Sequence, residues 1–437
     1  MRSSLFKLLG RTMLAGGALA AAVATGPAIA KDTINVGIAS FLTGPAAGPF
    51  GVPGRNGAEL VIDAINGGTL PAPYAKAGFA GAKMNAIFVD EAGGNAKQVG
   101  EYRNLVEKRG VDAVLGYISS GTCMAITPVA EELKKLTVLS VCGTPRVFEE
   151  AQRTYVFRTQ AHAVGDSIAA ARYVLDKFKD DKGYTGINQN YAWGQDSYKF
   201  FDITMKKLAP DTKASENPQF PKIFAGQYGT EISTLSLDSA KLVHTSFWGG
   251  DIEAFVLQAL VRGFFSDKQV ISSVGGSAVD SLGKKFPDGV VMGTRGEYGL
   301  LVRNNKEPLN AWFVNEYKKR YGAYPLGPSY QYANSVLALK IAMDAAAEKA
   351  GGFPTQEQTM ASLKGLSWQS FGGKISLSLA DGHQAVHPVG YGITKWDKEK
   401  NEPSAVDVKF YQPECIYAPA GQNSVEWLEA GMPGAKC

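Results

Sequence analysis

Apolar residues fall into two rhythms along this chain, and the rhythms alternate. Near-continuous apolar runs such as "TINVGIAS" (33–40), "MNAIFVD" (84–90), "DAVLGYI" (112–118) and "TVLSVC" (137–142) read as strands. Between them, apolar positions recur at helical spacing over 54–67, over 96–110 (closed by Gly110) and around 124–135. Strands that are continuous rather than alternating predict a parallel sheet covered on both faces and built from right-handed βαβ units. The pattern restarts after "YVFRTQ" (155–160). Helices over 164–179, 194–208 and 251–263 then alternate with strands at 185–190, 241–247 and 268–276. "GVVMGTRG" (289–296) opens a stretch with two longer helices, 308–321 and 330–350, and "GYGITKW" (390–396) returns to strand. The prediction is an α/β protein of two doubly wound lobes with parallel-sheet cores and a ligand cleft between them.

Composition adds a compartment. At 437 residues, 45% hydrophobic and 20% charged, the chain is long enough for two cores. Its first thirty residues differ from the rest: Arg2, Lys7 and Arg11 precede an apolar stretch that ends in Ala28–Ile29–Ala30. That plan predicts a secretory signal peptide, 1–30, and a product exported to the periplasm. Its removal lowers the basic count from 45 to 42 against 41 acids, so the mature chain is nearly neutral. Neutrality gives no reason to expect nucleic acid or an anionic membrane as partner, and a monomer is expected. In an oxidising compartment Cys123, Cys142, Cys415 and Cys437 are expected as disulfides. Cys123 and Cys142 flank consecutive strand ends and are paired here; Cys415 and Cys437 then staple the tail.

Chemistry concentrates where strands run into helices. "GYISSGTC" (116–123) puts Ser119, Ser120, Gly121 and Thr122 at one such corner, and "CGT" puts Cys142, Gly143 and Thr144 at the next. Helix N-termini offer unpaired N–H groups and a partial positive charge, and small hydroxyls add donors without bulk. Two adjacent corners of this kind predict an anion pocket, although Ser and Thr are also ordinary helix caps. Phe50 is expected as an apolar wall, with Tyr191, Trp193, Phe247, Trp248 and Asp251 at strand ends of the second lobe. No phosphate loop, GxSxG elbow, HExxH or Cys/His dyad is present, which argues against nucleotide binding and catalysis. His383 and His387 have metal-like spacing, but Gly382 and Pro388 bracket them. No metal or cofactor is expected, and the acid pairs Glu131–Glu132 and Glu149–Glu150 read as solvated faces.

The pieces "INVGIASFLTGPAAGPFG", "GYISSG", "YAWGQDS" and "FVNEYKKRYGAYPLGPSYQYANSVLALKIAMDAA" together resemble the periplasmic solute-binding proteins of ABC importers, in the branch that includes the leucine/isoleucine/valine-binding protein. The likeness spans about 33–411. It implies three crossings between lobes, near 156–160, 286–292 and 385–390, with 31–157 and 290–386 in the first lobe and 158–289 and 387–437 in the second. It implies a binding protein, not an enzyme, that captures a small-molecule solute and docks on a membrane permease. By position, Ser119, Ser120 and Thr122 fall where the family holds a ligand carboxylate, and Cys142, Gly143 and Thr144 at its second carboxylate corner. Phe50, Trp193 and Trp248 match aromatic positions. Amino-acid binders place an acid after the strand equivalent to "KQVISSVGG"; here that corner reads Gly275–Gly276–Ser277, with Asp251 and Asp280 as substitutes and Arg146 as an added contact. A branched-chain amino acid and an aromatic or other organic acid both stay open as ligand. An amide- or urea-type solute, a ligand-sensing domain feeding a receptor, and an exported hydrolase are the alternatives.

Overall fold

The computed structural model describes residues 31–437, so the predicted signal peptide lies outside the described residues. The chain first lays down β1 (Thr33–Ser40), β2 (Lys83–Asp90), β3 (Ala113–Gly116), β4 (Thr137–Leu139) and β5 (Val156–Arg158). It then builds β6 (Gly183–Gly186), β7 (Lys213–Ala214), β8 (Leu242–Thr245), β9 (Gln269–Ser272) and β10 (Val291–Gly293). After two long helices, Pro308–Tyr321 and Gly327–Ala350, come β11 (Ser367–Ser370), β12 (Gly373–Leu379) and β13 (Gln384–Val386). Last are β14 (Val389–Asp397) and β15 (Glu402–Tyr411).

These strands form two sheets. One runs β11-β12-β13-β5-β4-β3-β1-β2, the other β15-β14-β10-β9-β8-β6-β7. The central pairs are parallel, and antiparallel strands close one side of each sheet. Val36, Ile38, Val114, Val138, Val243 and Ile271 are fully buried, as strands covered on both faces require. The fold is therefore two α/β lobes. Among the described residues, no helix is long and apolar enough to cross a membrane.

The chain passes between lobes after β5, after β10 and between β13 and β14. The second passage lies later than the resemblance implied. Val291 pairs with Ile271 of β9 and with Ile393 of β14, and both Val291 and Met292 are buried, so 290–293 belong to the second lobe. Sequence could not separate a strand that ends a sheet from a linker that leaves it, because both are short and apolar.

The tail helices Pro413–Ile416 and Ser424–Glu429 pack on helices Ala163–Lys177 and Ala192–Leu208 of the second lobe. Ser424 N–H also donates to Glu149 of the first lobe at 2.9 Å, and its hydroxyl meets His162 Nε2 at 3.2 Å. Glu149 is thus bonded rather than solvated, and Glu131 likewise accepts the N–H groups of Thr154 and Tyr155. Disulfides join Cys123 to Cys142 and Cys415 to Cys437. His383 stacks on Phe157, while His387 accepts the Ala161 N–H at 3.1 Å, so their metal-like spacing serves two unrelated packing sites.

Candidate functional site

The first corner is built by a glycine. A Cβ on Gly116 would lie 2.2 Å from the Ala39 carbonyl, and φ there is +113°, so only glycine lets β3 end this close to β1. The chain then turns through Tyr117 and reaches helix Ser120–Glu132. The N–H groups just ahead of that helix are already occupied. Glu91, buried just after β2, accepts Ile118 N–H at 2.7 Å and Ser119 N–H at 2.8 Å, with the Thr122 hydroxyl beside it. Burial pushes this carboxyl up to about 8 against those contacts. Ser119 itself caps the helix, accepting Thr122 N–H at 3.5 Å. Ser119 and Thr122 thus each have a bond within the corner, and neither lines the cavity described below. A buried acid of the chain takes the two N–H groups that lead into the helix.

Ser120 points the other way. Its hydroxyl oxygen accepts Gly143 N–H at 3.1 Å and Thr144 N–H at 3.2 Å, which joins the first corner to the second. With both lone pairs engaged, its own proton is left to donate. Cys142 is bonded to Cys123 and buried in the packing behind the corner, and it does not line the cavity described below. Thr144 reaches across the cleft, donating to Asp196 of the second lobe at 2.5 Å. A Cβ on Gly143 would meet the Trp193 ring at 2.4 Å and Arg295 Nη2 at 2.5 Å, so glycine is what lets this corner face the second lobe.

Opposite stand the aromatics. Trp248 lies 5.2 Å from Phe50, 5.8 Å from Phe41 and 5.3 Å from Phe224, ring centre to ring centre, which brings both lobes onto one indole. Its Nε1–H donates to the Tyr191 hydroxyl at 2.7 Å, while Trp193 donates to the Ser246 carbonyl at 2.9 Å. The lobes touch through Gly250 N–H to Pro45 O at 2.9 Å. Between them is a cavity of about 20 Å³, room for about one water. The first lobe lines it with Phe50, Ile118, Ser120, Val141 and Gly143, the second with Tyr191, Trp193, Trp248 and Val274. Hollows of about 520 and 500 Å³ lie outside the cleft, one between the tail and the β12 edge and one beside Phe148 and His383. Neither receives walls from both sheets.

One lining residue had no signal in the sequence. Arg295, two residues beyond β10, is 5% exposed and held at φ +54°. It lies 4.4 Å from the Trp193 ring centre and donates to Asp166 at 2.9 Å, Val141 O at 2.7 Å and Ala161 O at 2.8 Å. Burial pushes Asp166 up to about 6 while Arg295 pulls it down. Behind the second corner, Arg158 donates to the carbonyls of Cys142 and Thr144, at 3.1 and 2.7 Å.

Three expected participants are engaged elsewhere. Asp251 is buried and accepts Gln189 Nε2 at 2.6 Å and Phe224 N–H at 2.7 Å. Asp280 holds Arg303 in a two-pronged pair at 2.7 and 2.9 Å. Arg146 pairs with Glu150 at the surface. Ser277 is buried with an unpartnered hydroxyl, in a helix packed against 47–51, and does not line the cavity. Short acids near a cleft find internal donors first, because leaving them bare while buried is costly.

A family model described as "Periplasmic binding protein" matches residues 33–401. The leucine-, isoleucine-, valine-, threonine- and alanine-binding protein of Pseudomonas aeruginosa is 26% identical over 152 residues, 35% of this chain and 38% of that relative. In structure the chain is similar to an ABC-transporter solute-binding protein from Rhodopseudomonas palustris BisB5 in complex with 3,4-dihydroxybenzoic acid (TM-score 0.74, 20% identity, 88% of this chain and 98% of that one). A second R. palustris solute-binding protein, in complex with benzoate, gives 0.72 at 17% identity over 86% and 96%. A leucine-binding protein from Thermotoga maritima gives 0.70 at 18% identity over 86% and 98%. At these identities the structural likeness is one of fold, and the family model, which covers most of the chain, goes further. This chain belongs to the periplasmic binding protein family.

Proposed function

We propose that the protein is a periplasmic, non-catalytic and monomeric binding protein that captures a small carboxylate-bearing solute and delivers it to the permease of an ABC importer. The observation that carries this reading is the cavity itself. Its donors, Ser120 and Arg295, come with the second corner, and its aromatic walls, Phe50 and Trp248, come from opposite lobes. A solute held there touches both lobes at once, so its binding free energy favours the closed arrangement over the open one. The near-neutral mature charge fits a small solute rather than a polyanion or a membrane surface.

The test is a thermal-shift screen on protein unfolded and refolded to strip carried-over solute, with leucine, valine, alanine, urea, benzoate, 4-hydroxybenzoate and 2-oxo acids. A true ligand at ~100 times its Kd adds about 2.7 kcal/mol, a shift of a few degrees. Stabilisation by at least one carboxylate supports the reading. Stabilisation by urea alone, or by none of the set, sinks it.

A further inference from the structure

Resting on that reading, we infer that Arg295 sets the charge class of the solute, so that the site takes carboxylates without an amino group and rejects their α-amino counterparts. Two facts about the cavity point there. The first is a shortage of acids. Each carboxylate near the cleft has an internal partner: Glu91 on Ile118 and Ser119, Asp196 on Thr144, Asp251 on Gln189 and Phe224, Asp166 on Arg295. None of these acids lines the cavity. An ammonium group placed in it would be buried without a counter-charge.

The second fact is a surplus of donors. Of the five N–H groups on Arg295, three are committed, one on Nε and one on each terminal nitrogen. One N–H remains on each terminal nitrogen to give to an acceptor. Nη2 lies beside Gly143, whose missing side chain is what lets the guanidinium and the Trp193 ring come this close. Ser120 and Tyr191 each accept hydrogen bonds from the protein, so each hydroxyl keeps its proton to give. Asp166 balances the Arg295 charge, so what the pocket offers is unspent N–H and O–H donors with no acid in its own lining, a set that suits a carboxylate.

Arg295 also stands where the charge of a solute would be felt by the hinge. It lies in the second crossing, and its three bonds reach Val141 of the first lobe, Ala161 of the first crossing and Asp166 of the second lobe. Gln160 of the first crossing donates to the Arg295 carbonyl at 2.6 Å. A carboxylate on this guanidinium adds a further tie among segments that move relative to one another when the lobes part.

Calorimetric titration of ligand-stripped protein tests this with matched probes: 4-methylpentanoate against leucine, which differ only in the amino group, and benzoate against benzamide, which differ in charge. Wild type is expected to bind the better of the two carboxylates roughly 100-fold tighter than its partner probe, the scale of a buried charge-assisted hydrogen bond. Arg295→Gln is expected to bring that ratio to within about 10-fold, and Arg295→Lys to restore part of it, with cooperative unfolding checked for both. Leucine binding more tightly than 4-methylpentanoate would overturn the inference while leaving the carboxylate-capture reading intact. So would an R295Q variant that keeps the full preference. Failure of all four probes to bind wild type overturns the inference, while the wider thermal-shift screen decides the carboxylate-capture reading separately. The wild-type ratio decides the matter even if neither variant folds.

Discussion

Two neighbouring corners of the first lobe look alike in sequence and do opposite things. At 118–122 the helix start is closed off by Glu91, which takes the N–H groups of Ile118 and Ser119. At 142–144 the N–H groups of Gly143 and Thr144 go to Ser120, a hydroxyl that can still donate, and Arg295 lies alongside. Both are strand-to-helix corners rich in small polar residues. One is met by a buried carboxyl of the chain itself, and the other is the corner proposed to meet the solute. Residue type at a strand-to-helix corner thus does not by itself say whether its donors are free. The disulfide Cys123–Cys142 ties the two corners together, so the sealed one acts as a brace for the open one.

The comparison can be broken most forcefully at Glu91. Glu91→Ala leaves two buried N–H groups unpaired and is expected to cost about 2–5 kcal/mol in urea unfolding, while solute affinity changes less than ~3-fold. A large affinity loss in folded E91A protein would mean that the sealed corner belongs to the binding site after all. The mirror-image change is Ser120→Ala with Thr144→Ala. It is expected to weaken solute binding by roughly 10–100-fold in calorimetry and to cost about 1–2 kcal/mol of stability. Unchanged affinity would remove the open corner from the site.

The smallest effect serves as a control. His244 is fully buried in the second lobe, stacked on Phe201 and bonded to Ser273 at 3.2 Å, and burial pushes it down to about 3. The unfolded chain takes up this proton near pH 6.5 and the folded chain does not, so stability is lost as pH falls below that value. Between pH 7 and 5.5, wild type is expected to lose about 1 kcal/mol relative to His244→Gln, read from urea midpoints. Solute affinity should not follow this difference, because His244 touches neither corner. If it does follow, the wall behind Trp193 and Ser246 is coupled to binding.

Much of this was legible in the chain. Continuous apolar runs flanked by helical spacing fix a parallel sheet for the reason given by burial on both faces, and Val36, Val114 and Ile271 are buried accordingly. Phe50, Ser120, Gly143, Trp193 and Trp248, read from strand ends, do meet around one cavity. Ser119, Thr122, Cys142, Asp251 and Ser277, read from the same strand ends, do not. For Thr122 and Asp251 the neighbours in sequence gave no way to tell, since the partner that occupies each is distant in the chain. Glu91 comes from another strand, and Gln189 is 62 residues from Asp251.

Local sequence determined the elements, because strand and helix periodicity, helix capping and turn glycines act over a few residues. It also determined which residue types gather at the strand ends. Which of them face solute was decided only by the tertiary structure. Hydrogen-bond capacity is shared out across the whole molecule, and each buried donor or acceptor goes to whatever partner the packing brings within reach. Arg295 shows this most clearly: a lone arginine after a short strand becomes part of the cleft only because Val141, Ala161, Asp166 and Trp193 converge on it from four other segments.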